Sequence, residues 1–529
     1  MQKNFKIIIV LIIVAVSVLL YFGFHKKSEY FSLDVDDLSD TKVSQTVELK
    51  NGDTYDMTAE IVKKIVNGKE TKMLAYNGMI PGPTIKVSQG SEITINFKNN
   101  TDVDTALHSH GVRLEDKYDG VIGIDQDAIK PGESFVYKIK FPDVGIYWYH
   151  PHFREDYAQP LGQYGAYIVE PANINYWDSV NMEAPLFVND ILMDKNGVVP
   201  FNKKSSDHIM MGRYGNVMLV NGEENYSLNV DKGSVARFYI INSSTARPFN
   251  IGINGVKMKL VGADNGAYEN DTWVDSVILG PSERAIVEVL FDKSGTYELQ
   301  NKTPNNIYSL GKIIVSDKNV DKSYSETFLK LRSHPETISS IDSFRLYFNK
   351  TPDKYLELTS GLRGAMGNMM SSGQHKMPDG TMMQNETMGE VMGLDNGIEW
   401  DNDSKMMNMM SDTGTDFFSW KIIDQETKKE NMDINWVFKK DDKVKIRISN
   451  DGNITHPMQH PMHFHGNRFL VIDKNGIEEK NLAWKDTVLV PAGQYVDILL
   501  DASNAGNWMA HCHIAEHMED GMMFTYSVK

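Results

Sequence analysis

HCHIAEHMEDGM, residues 511–522, contains the only cysteine of this 529-residue chain, together with three histidines and two methionines. A blue-copper site takes one thiolate, two imidazoles and a weak axial thioether. Cys512, His517 and Met522 supply three of these four ligands. Because successive side chains of an extended strand point to opposite faces, the neighbours of Cys512 point away from its metal. The stretch therefore predicts a copper bound by Cys512. The peptide chain would link this site, through a few covalent bonds, to any metal that His511 and His513 bind.

Outside this stretch, the chain repeats one pattern three times. In each copy a proline begins a turn and a glycine begins a strand 14 or 15 residues later: Pro131 and Gly145, Pro281 and Gly295, Pro491 and Gly506. Runs such as 93–97 and 444–448 alternate apolar and polar side chains, as half-buried strands do. Asn-Gly pairs between such runs supply the positive φ angles that hairpins need. We therefore expect an all-β chain built from three copies of one sandwich.

Four short clusters hold ten of the fifteen histidines. Two lie in the first repeat and two in the third, at equivalent places: residues 108–110, 150–152, 460–465 and 511–517. The middle repeat has neither cluster. Four His-x-His pairs, each with both imidazoles on one strand face about 7 Å apart, provide eight ligands. This distribution predicts one metal cluster between the first and third repeats, with His460 and His517 left for the site of Cys512.

The composition limits the partners and the location. A net charge of −17 argues against a nucleic-acid partner, which needs a basic face. Residues 1–27 place an apolar run between lysines, as an export segment does, and no small-x-small cleavage site follows. An uncleaved membrane anchor is therefore favoured over a signal peptide. We expect 28–44 to be a linker, in which the acidic stretch 32–40 forms a solvated stalk. The folded part is expected to be an extracytoplasmic monomer, in the periplasm, on the outer face of the cell membrane or secreted.

On these copper motifs the chain resembles the three-domain multicopper oxidases, which include laccases, ascorbate oxidase and bacterial cuprous oxidases. The resemblance covers about residues 45–529. It implies three cupredoxin-like Greek-key β-sandwich domains, at 45–172, 173–320 and 321–529, after the N-terminal anchor or signal helix. It also implies an enzyme that couples four one-electron oxidations at a type 1 copper to reduction of dioxygen to water at a trinuclear copper cluster.

The resemblance also assigns ligands for four copper ions. The type 1 copper takes His460, Cys512 and His517, with Met522 as the axial ligand. Cys512 is catalytic as well, because it passes electrons to its neighbours. The other eight histidines bind the trinuclear cluster, with His108 and His463 at the type 2 copper and six at the type 3 pair: His110, His150, His152, His465, His511 and His513.

Reduction of dioxygen also requires protons. Asp119, nine residues after His110, matches the acid that family members use near the cluster, and a turn aspartate is the alternative interpretation. Bacterial laccases usually carry a second acid directly after the last type 1 histidine, where this chain has Met518. Glu519 follows one place later, on a different face, and is the remaining catalytic candidate.

The identity of the reductant is indicated by methionines. Residues 364–411 contain twelve of the chain's 29 methionines, among Gly, Asn, Asp and Ser. We interpret them as an insertion in the third domain that resembles the copper-binding cover of bacterial cuprous oxidases, because thioethers bind Cu(I) well. A low-complexity loop is the alternative. Cuprous oxidases place a methionine and an aspartate where this chain has Met458 and His456, so their substrate site transfers only in part.

The sequence thus favours a cuprous oxidase acting in copper tolerance, with Cu(I) and dioxygen as substrates. Two alternatives remain open. A laccase-type oxidase would take small aromatic phenols or amines, and the insertion would then hinder large substrates. A protein of another class, a non-catalytic extracytoplasmic copper-binding protein, would use the same fold without turnover.

Overall fold

A computed structural model describes residues 31–203, 206–362, 375–376, 382–383, 396–401, 418–454 and 457–529. Three of the predicted features lie outside these ranges: the expected membrane anchor at 1–27, most of the insertion at 364–411, and the candidate substrate residue His456. Within the ranges, 36 strands and a few short helices make up the secondary structure. No described helix is long and apolar enough to cross a membrane.

The first sandwich has two facing sheets. Its strands are β1 (Thr46–Leu49), β2 (Thr54–Val66), β3 (Lys69–Tyr76), β4 (Thr84–Ser88), β5 (Glu92–Asn100), β6 (Leu107–His110), β7 (Ser134–Lys140), β8 (Gly145–Pro151) and β9 (Gly165–Glu170). They pair in the orders β1-β4-β9-β8-β6 and β3-β2-β5-β7. Strand β5 shows why they form: its side chains alternate between solvent and core, so that Ile93, Ile95 and Phe97 pack between the sheets.

The second sandwich has its own apolar core, which contains Phe238, Phe249 and Phe291. Its strands are β10 (Met182–Ile191), β11 (Met193–Asp194), β12 (Gly197–Val198), β13 (Val217–Val220), β14 (Tyr226–Lys232), β15 (Ser234–Asn242), β16 (Phe249–Ile253), β17 (Met258–Ala263), β18 (Gly266–Val274), β19 (Val277–Leu279), β20 (Arg284–Phe291), β21 (Gly295–Lys302) and β22 (Ile307–Asn319). The two sheet orders are β13-β10-β15-β20-β17-β18 and β14-β22-β21-β16-β19, and β11 pairs with β12.

The third sandwich carries Cys512 in its core. Its strands are β23 (Lys354–Leu362), β24 (His375–Lys376), β25 (Met382–Met383), β26 (Phe418–Asp424), β27 (Asn435–Phe438), β28 (Asp442–Asn450), β29 (His460–Phe464), β30 (Arg468–Lys474), β31 (Ile477–Glu478), β32 (Trp484–Lys485), β33 (Thr487–Val490), β34 (Tyr495–Ala502), β35 (Gly506–Cys512) and β36 (Met523–Val528). The sheet orders are β26-β23-β28-β34-β30-β31, with β32 also on β30, and β27-β36-β35-β29-β33, while β24 pairs with β25.

Short helices connect the strands. The α-helices are α1 (Glu155–Ala158), α2 (Ser325–Phe328), α3 (Pro335–Asp342) and α4 (Ala515–Glu519), and the 3₁₀ turns are Asp116–Tyr118, Arg345–Tyr347 and Asn431–Asp433. Helices α1 and α4 follow β8 and β35 respectively and pack against each other. The segments that follow the two late histidine clusters are therefore in contact.

The three sandwiches share one topology. The strands that begin at the repeated glycines are β8, β21 and β35. Each pairs antiparallel with the next strand of the sandwich, namely β9, β22 or β36. That strand in turn pairs in parallel with a third, namely β4, β14 or β27. The prediction of an all-β chain with three copies of one sandwich is therefore confirmed.

The N-terminal linker is less free than its acidic composition suggested. The ring of Phe31 lies 4.5 Å from that of Tyr157, and the carbonyl of Ser32 accepts a 2.6 Å hydrogen bond from buried Lys72. Burial of apolar side chains holds these residues against the first domain. The described part of the linker therefore does not project as a solvated stalk.

Part of the predicted insertion is packed into the folded protein. Residues 396–401, here called the anchor segment, are packed between the second and third sandwiches, with Ile398 and Trp400 buried against Leu489. Its backbone bonds to both sandwiches: Tyr214 donates to the carbonyl of Glu399 at 2.9 Å, and Ala492 donates to that of Gly397 at 2.8 Å. The interval 364–411 therefore contains a buried attachment point.

Candidate metal centre

Four strands bring the histidine clusters together between the first and third sandwiches. Strands β6 and β8 come from the first, and β29 and β35 from the third. All ten predicted histidine ligands and Cys512 are buried, and the most exposed of them, His152, is only 6% exposed. The middle sandwich contributes none of these residues, as the repeats predicted.

The histidine pairs converge more than an ideal strand would allow. Ring centroids within the four pairs are 5.6, 6.3, 4.6 and 5.2 Å apart, below the roughly 7 Å spacing of a flat strand face. One reason is that His152 and His513 lie just beyond the ends of β8 and β35. The imidazoles therefore lean towards a common centre.

Potential ligand atoms fall into compact groups. Within each group these atoms lie within 4.8 Å of one another, and the groups are His108-His110-His463, His110-His150-His513, His152-His465-His511, His108-Asp119-His465 and His460-Cys512-His517. The first four groups share members and form one cluster. The fifth is a separate site on the other side of Cys512.

The cysteine site has the three strong ligands that a blue copper needs. The Sγ atom of Cys512 lies 3.4 Å from Nδ1 of His460 and 3.7 Å from Nδ1 of His517. These two nitrogens are 3.3 Å apart. Burial raises the pKa of the Cys512 thiol, so a bound cation is required to hold it as a thiolate. Met522 is buried beside them, and its carbonyl accepts a hydrogen bond from Cys512 N.

The cluster histidines are oriented through the ring nitrogen that faces away from the centre. His108 donates to the carbonyl of Asp119 at 2.6 Å and His463 to that of Asp486 at 2.8 Å. His150 and His511 bond to the carbonyls of Pro151 and Cys512, each at 2.9 Å. Such bonds fix the tautomer, so the second nitrogen presents a lone pair.

Those inward nitrogens fit a metal cluster. Among the described residues, Nε2 of His108, His150, His152 and His463 and Nδ1 of His110 are buried without a hydrogen-bond partner. Nε2 of His465 and Nε2 of His511 face each other at 3.0 Å. Buried polar atoms are normally paired. Convergent unpaired nitrogens are therefore what a site for metal ions requires.

Burial also keeps the cluster histidines in the form that binds metal. It lowers the pKa of His511 to about 4 and that of His110, His150 and His463 well below the usual value. Neighbouring imidazoles lower the pKa of these three further. Neutral imidazole is the metal-binding form, so the site is preorganised for cations.

Asp119 lies at the cluster, where the sequence predicted an acid. Its Oδ2 accepts a 2.7 Å hydrogen bond from Nδ1 of His465, and its Oδ1 is 3.4 Å from Nδ1 of His108. It therefore contacts one histidine from the first sandwich and one from the third. Gly120 has φ +87, and a Cβ there would lie 2.2 Å from the carbonyl oxygen of Leu107. The Asp-Gly pair thus allows the turn to pack against β6.

The second predicted acid, Glu519, is not among the histidines. It ends α4, where backbone hydrogen bonds from Arg154 and Glu155 reach it, and burial raises its pKa to about 7. The buried carboxyl next to the cluster is instead Glu155, 3.8 Å from both His150 Nδ1 and His152 Nε2. Within the described residues neither of its oxygens has a hydrogen-bond partner. The sequence offered one signal for Glu155, its position three residues after His152.

Asp486 is a further residue that the motifs did not reveal. Its Oδ1 lies 3.0 Å from Nε2 of His110, and Arg284 of the middle sandwich binds its carboxylate. A Cβ on Gly111 would lie 2.2 Å from Asp486 Oδ2, and Gly111 has φ +81. This contact explains the glycine of the first His-x-His-Gly motif. Gly466 serves the same purpose in the third repeat, against the ring of Trp508.

Of the two candidate substrate residues, only Met458 can be located. It is buried in the core of the third sandwich, and its carbonyl accepts a 2.7 Å hydrogen bond from Asn450. The next residue, Gln459, accepts from Glu399 N at 2.8 Å and donates to Tyr214 at 3.0 Å. The anchor segment is therefore bonded to the residue that directly precedes His460 and β29.

Three sandwiches with a cysteine site beside an eight-histidine cluster define a three-domain blue copper oxidase. Sequence models described as multicopper oxidase match residues 58–174, 185–317 and 399–529. The chain belongs to the multicopper oxidase family.

Known relatives cover almost the whole chain. A multicopper oxidase of Staphylococcus aureus is 26% identical over 480 residues, which are 89% of this chain and 87% of the relative. An iron transport multicopper oxidase of Epichloe festucae is 25% identical, over 86% of this chain and 73% of its own.

Solved structures share the fold. A multicopper oxidase from Campylobacter jejuni, described as a metallo-oxidase, aligns with a TM-score of 0.67 at 23% identity, covering 95% of this chain and 98% of its own. A laccase-like multicopper oxidase from Ochrobactrum sp., active towards lignin model compounds, aligns at 0.68 and 20% identity, covering 92% and 100%. The cupredoxin-like fold prediction is therefore confirmed.

Family membership also confirms the class of reaction. The protein is an oxidoreductase that takes electrons from a reductant and uses dioxygen as the acceptor. Its cofactors are four copper ions, one type 1, one type 2 and two type 3. The alternative of a non-catalytic copper-binding protein is not supported.

Proposed function

We propose that the fifth group, His460-Cys512-His517 with Met522, holds the type 1 copper, that His108 and His463 hold the type 2 copper, and that the other six histidines hold the type 3 pair. The grouping of ligand atoms supports this assignment, since His110-His150-His513 and His152-His465-His511 each form a compact triad. The triads draw on both sandwiches, so copper binding would also join the first domain to the third.

The residues between the two sites provide a path for electrons. When bound, the coppers supply one-electron transfers that together reduce one dioxygen to two waters. Cys512 is bonded through the chain to His511 and His513, and His511 Nδ1 also donates to the carbonyl of Cys512 at 2.9 Å. The path is therefore a few covalent bonds long and fully buried. Burial excludes bulk water from partly reduced oxygen.

Two carboxyl groups are placed to handle protons. The Oδ2 atom of Asp119 accepts a hydrogen bond from His465. The carboxyl of Glu155, whose Oε1 lies 3.8 Å from both His150 Nδ1 and His152 Nε2, can hold a second proton beside the cluster. We assign Glu155 the role that Glu519 was expected to take.

The proposed reductant is Cu(I), oxidised to Cu(II) outside the cytoplasm in copper tolerance. The methionine content of 364–411 carries this proposal, because thioethers prefer Cu(I). The anchor segment supports it, because it attaches that interval to Gln459, between Met458 and His460. The metallo-oxidase from Campylobacter jejuni is a relative of matching activity class.

Replacing the twelve methionines of 364–411 with leucine tests the substrate assignment. Leucine keeps the length and apolar character but removes the thioethers. We expect the rate of dioxygen consumption with Cu(I) to fall about tenfold or more, while the rate with a phenol stays the same. Leaving residues 396–401 unchanged in the variant preserves the attachment to Tyr214 and Gln459. Equal Cu(I) turnover in both proteins would reject the cuprous oxidase proposal.

A laccase-type activity is the second candidate. The Ochrobactrum relative, with activity on lignin model compounds, favours it. If this activity is the physiological one, shortening 364–395 and 402–411 while keeping the anchor segment should raise the rate of phenol oxidation. The rate of Cu(I) oxidation should not fall, because the removed residues would have no role in binding Cu(I). Side-by-side dioxygen consumption with Cu(I), Fe(II) and a phenol distinguishes the two candidates.

Location outside the cytoplasm and attachment by residues 1–27 are part of the proposal. The charged-apolar-charged order of that segment supports both. Fractionation of cells that express the full chain and a chain without residues 1–27 tests them. Recovery of the full chain in the cytoplasm would reject the location.

A further inference from the structure

One aromatic side chain packs against both histidines of the proposed type 1 site. The ring of Trp420, in β26, lies 4.4 Å from that of His517 at an interplanar angle of 32°, and 4.6 Å from that of His460 at 75°. All three side chains are fully buried. The indole therefore packs over both imidazoles on the side facing the second sandwich.

Hydrogen bonds hold this indole in place. Its Nε1 donates to the carbonyl of Ile209, in the second sandwich, at 2.8 Å. Its backbone N donates to Asp520 at 3.1 Å, and its carbonyl accepts from Asn431 at 3.2 Å. Since both the ring and the backbone are fixed, Trp420 is a permanent part of the wall around the site.

Such a wall affects which reductants can approach. A planar reductant would need to lie against a ligand imidazole for direct contact, and on the β26 side the indole fills that space. A reductant that approaches from this side must remain outside Trp420 while one electron moves inward. It leaves as its one-electron oxidised form, and a phenol also loses its proton to solvent. The indole itself is unchanged.

We propose that Trp420 is a specificity-determining residue, which keeps aromatic reductants off His460 and His517 and so lowers turnover of phenols relative to that of metal ions. The inference rests on the proposed assignment of these histidines and Cys512 to the type 1 copper. It concerns a residue outside the interval 364–411, so it is separable from the role of the methionines there.

Chemical modification of the copper-free protein tests the cover directly. Diethyl pyrocarbonate acylates accessible imidazoles, and mass spectrometry of peptides locates the product. We expect His460 and His517 to be protected in the wild type, while His208, with a side chain 22% exposed, reacts. Trp420→Ala should make His517 reactive, and Trp420→Phe should keep it protected because the ring remains.

A second buried tryptophan of the same sandwich provides the control. Trp436 packs against Phe524 at 4.9 Å and donates to Asp424 at 3.3 Å. Trp436→Ala removes the same volume without opening the site, so its histidines should remain protected. This comparison separates loss of the cover from general loosening of the fold.

The copper-loaded variants supply the specificity measurement. We expect Trp420→Ala to keep the blue absorption band and to raise the ratio of phenol to Cu(I) turnover about tenfold or more. Reaction of His517 in the wild type at the rate of His208, or an unchanged ratio in a blue Trp420→Ala, overturns the proposal. Absence of the blue band from the wild type would instead contradict the type 1 assignment, and so the proposed function.

Discussion

Arg284 donates two hydrogen bonds of 2.6 Å to the carboxylate of Asp486, although the residues lie 202 positions apart and in different sandwiches. Asp486 also bonds to His110, in the remaining sandwich. The middle domain contributes none of the predicted copper ligands, yet through this contact it fixes the orientation of one of them. All three domains therefore meet at the cluster.

Arg284→Met should disturb both stability and copper binding. Removing one partner of a buried pair leaves an uncompensated charge, which costs about 3–5 kcal/mol. It also frees Asp486, so the type 3 coppers should be bound more weakly. Copper content and the near-ultraviolet absorption of the type 3 pair measure this effect.

Arg237→Met is the matched control for that variant. Arg237 forms a comparable buried pair with Glu288, but both partners belong to the second sandwich, on β15 and β20. We expect a similar loss of stability with full copper content. Equal copper loss in both variants would show that Arg284 acts only through the fold.

Gly111→Ala tests why the first His-x-His motif ends in glycine. The added methyl group would meet Asp486 Oδ2 at 2.2 Å, and φ +81 adds strain of about 1–2 kcal/mol. Gly90→Ala carries the same strain at φ +85 but has open space around its Cβ. Copper loss confined to Gly111→Ala would identify the contact as the cause, whereas equal loss in both would identify the strain.

The sequence predicted the parts of this protein that repeat or cluster. The strand alternation around Ile95 and the repeated Pro-to-Gly intervals were sufficient for the three sandwiches. The spacing of the His-x-His pairs was sufficient to indicate a shared cluster. Both signals are local, so they can be recognised without knowledge of tertiary contacts.

Residues that act across domains could not be predicted in this way. Arg284 and Trp420 carry no motif, and each is placed by packing between segments far apart in sequence. Glu519 was chosen for its place in the motif alone. Its side chain is reached by backbone hydrogen bonds from Arg154 and Glu155, a contact that the sequence did not reveal.

Cys512→Ser should abolish the blue absorption band of the copper-loaded protein. Serine keeps the size of the side chain but removes the thiolate, which gives rise to the charge-transfer band. The eight cluster histidines are unaffected, so at least the type 3 absorption should remain. A variant that stays blue would contradict the role of Cys512 as a type 1 ligand.

Asp125→Asn should stabilise the copper-free protein at high pH. Burial, together with the nearby charge of Asp119, raises the pKa of Asp125 from 3.8 to about 8. The folded state therefore binds more protons than the unfolded state between these values, and wild-type stability falls as pH rises through this window. Asparagine removes that loss. The urea midpoint of the variant, relative to that of the wild type, should therefore be higher at pH 8 than at pH 5. The same difference between the two proteins at both pH values would contradict the prediction.

Glu155→Gln should slow dioxygen reduction without affecting electron entry. Glutamine preserves the shape of the side chain next to His150 and His152 but cannot hold a transferable proton, a role worth about 100-fold in rate. In stopped-flow experiments, bleaching of the blue band by a reductant without dioxygen should be unchanged, and its recovery with dioxygen should be slower. Glu516→Gln is the comparison, since Glu516 is equally buried and also has both oxygens without a partner among the described residues. If Glu516→Gln slows the recovery and Glu155→Gln does not, Glu516 supplies the proton and Glu155 has only a structural role.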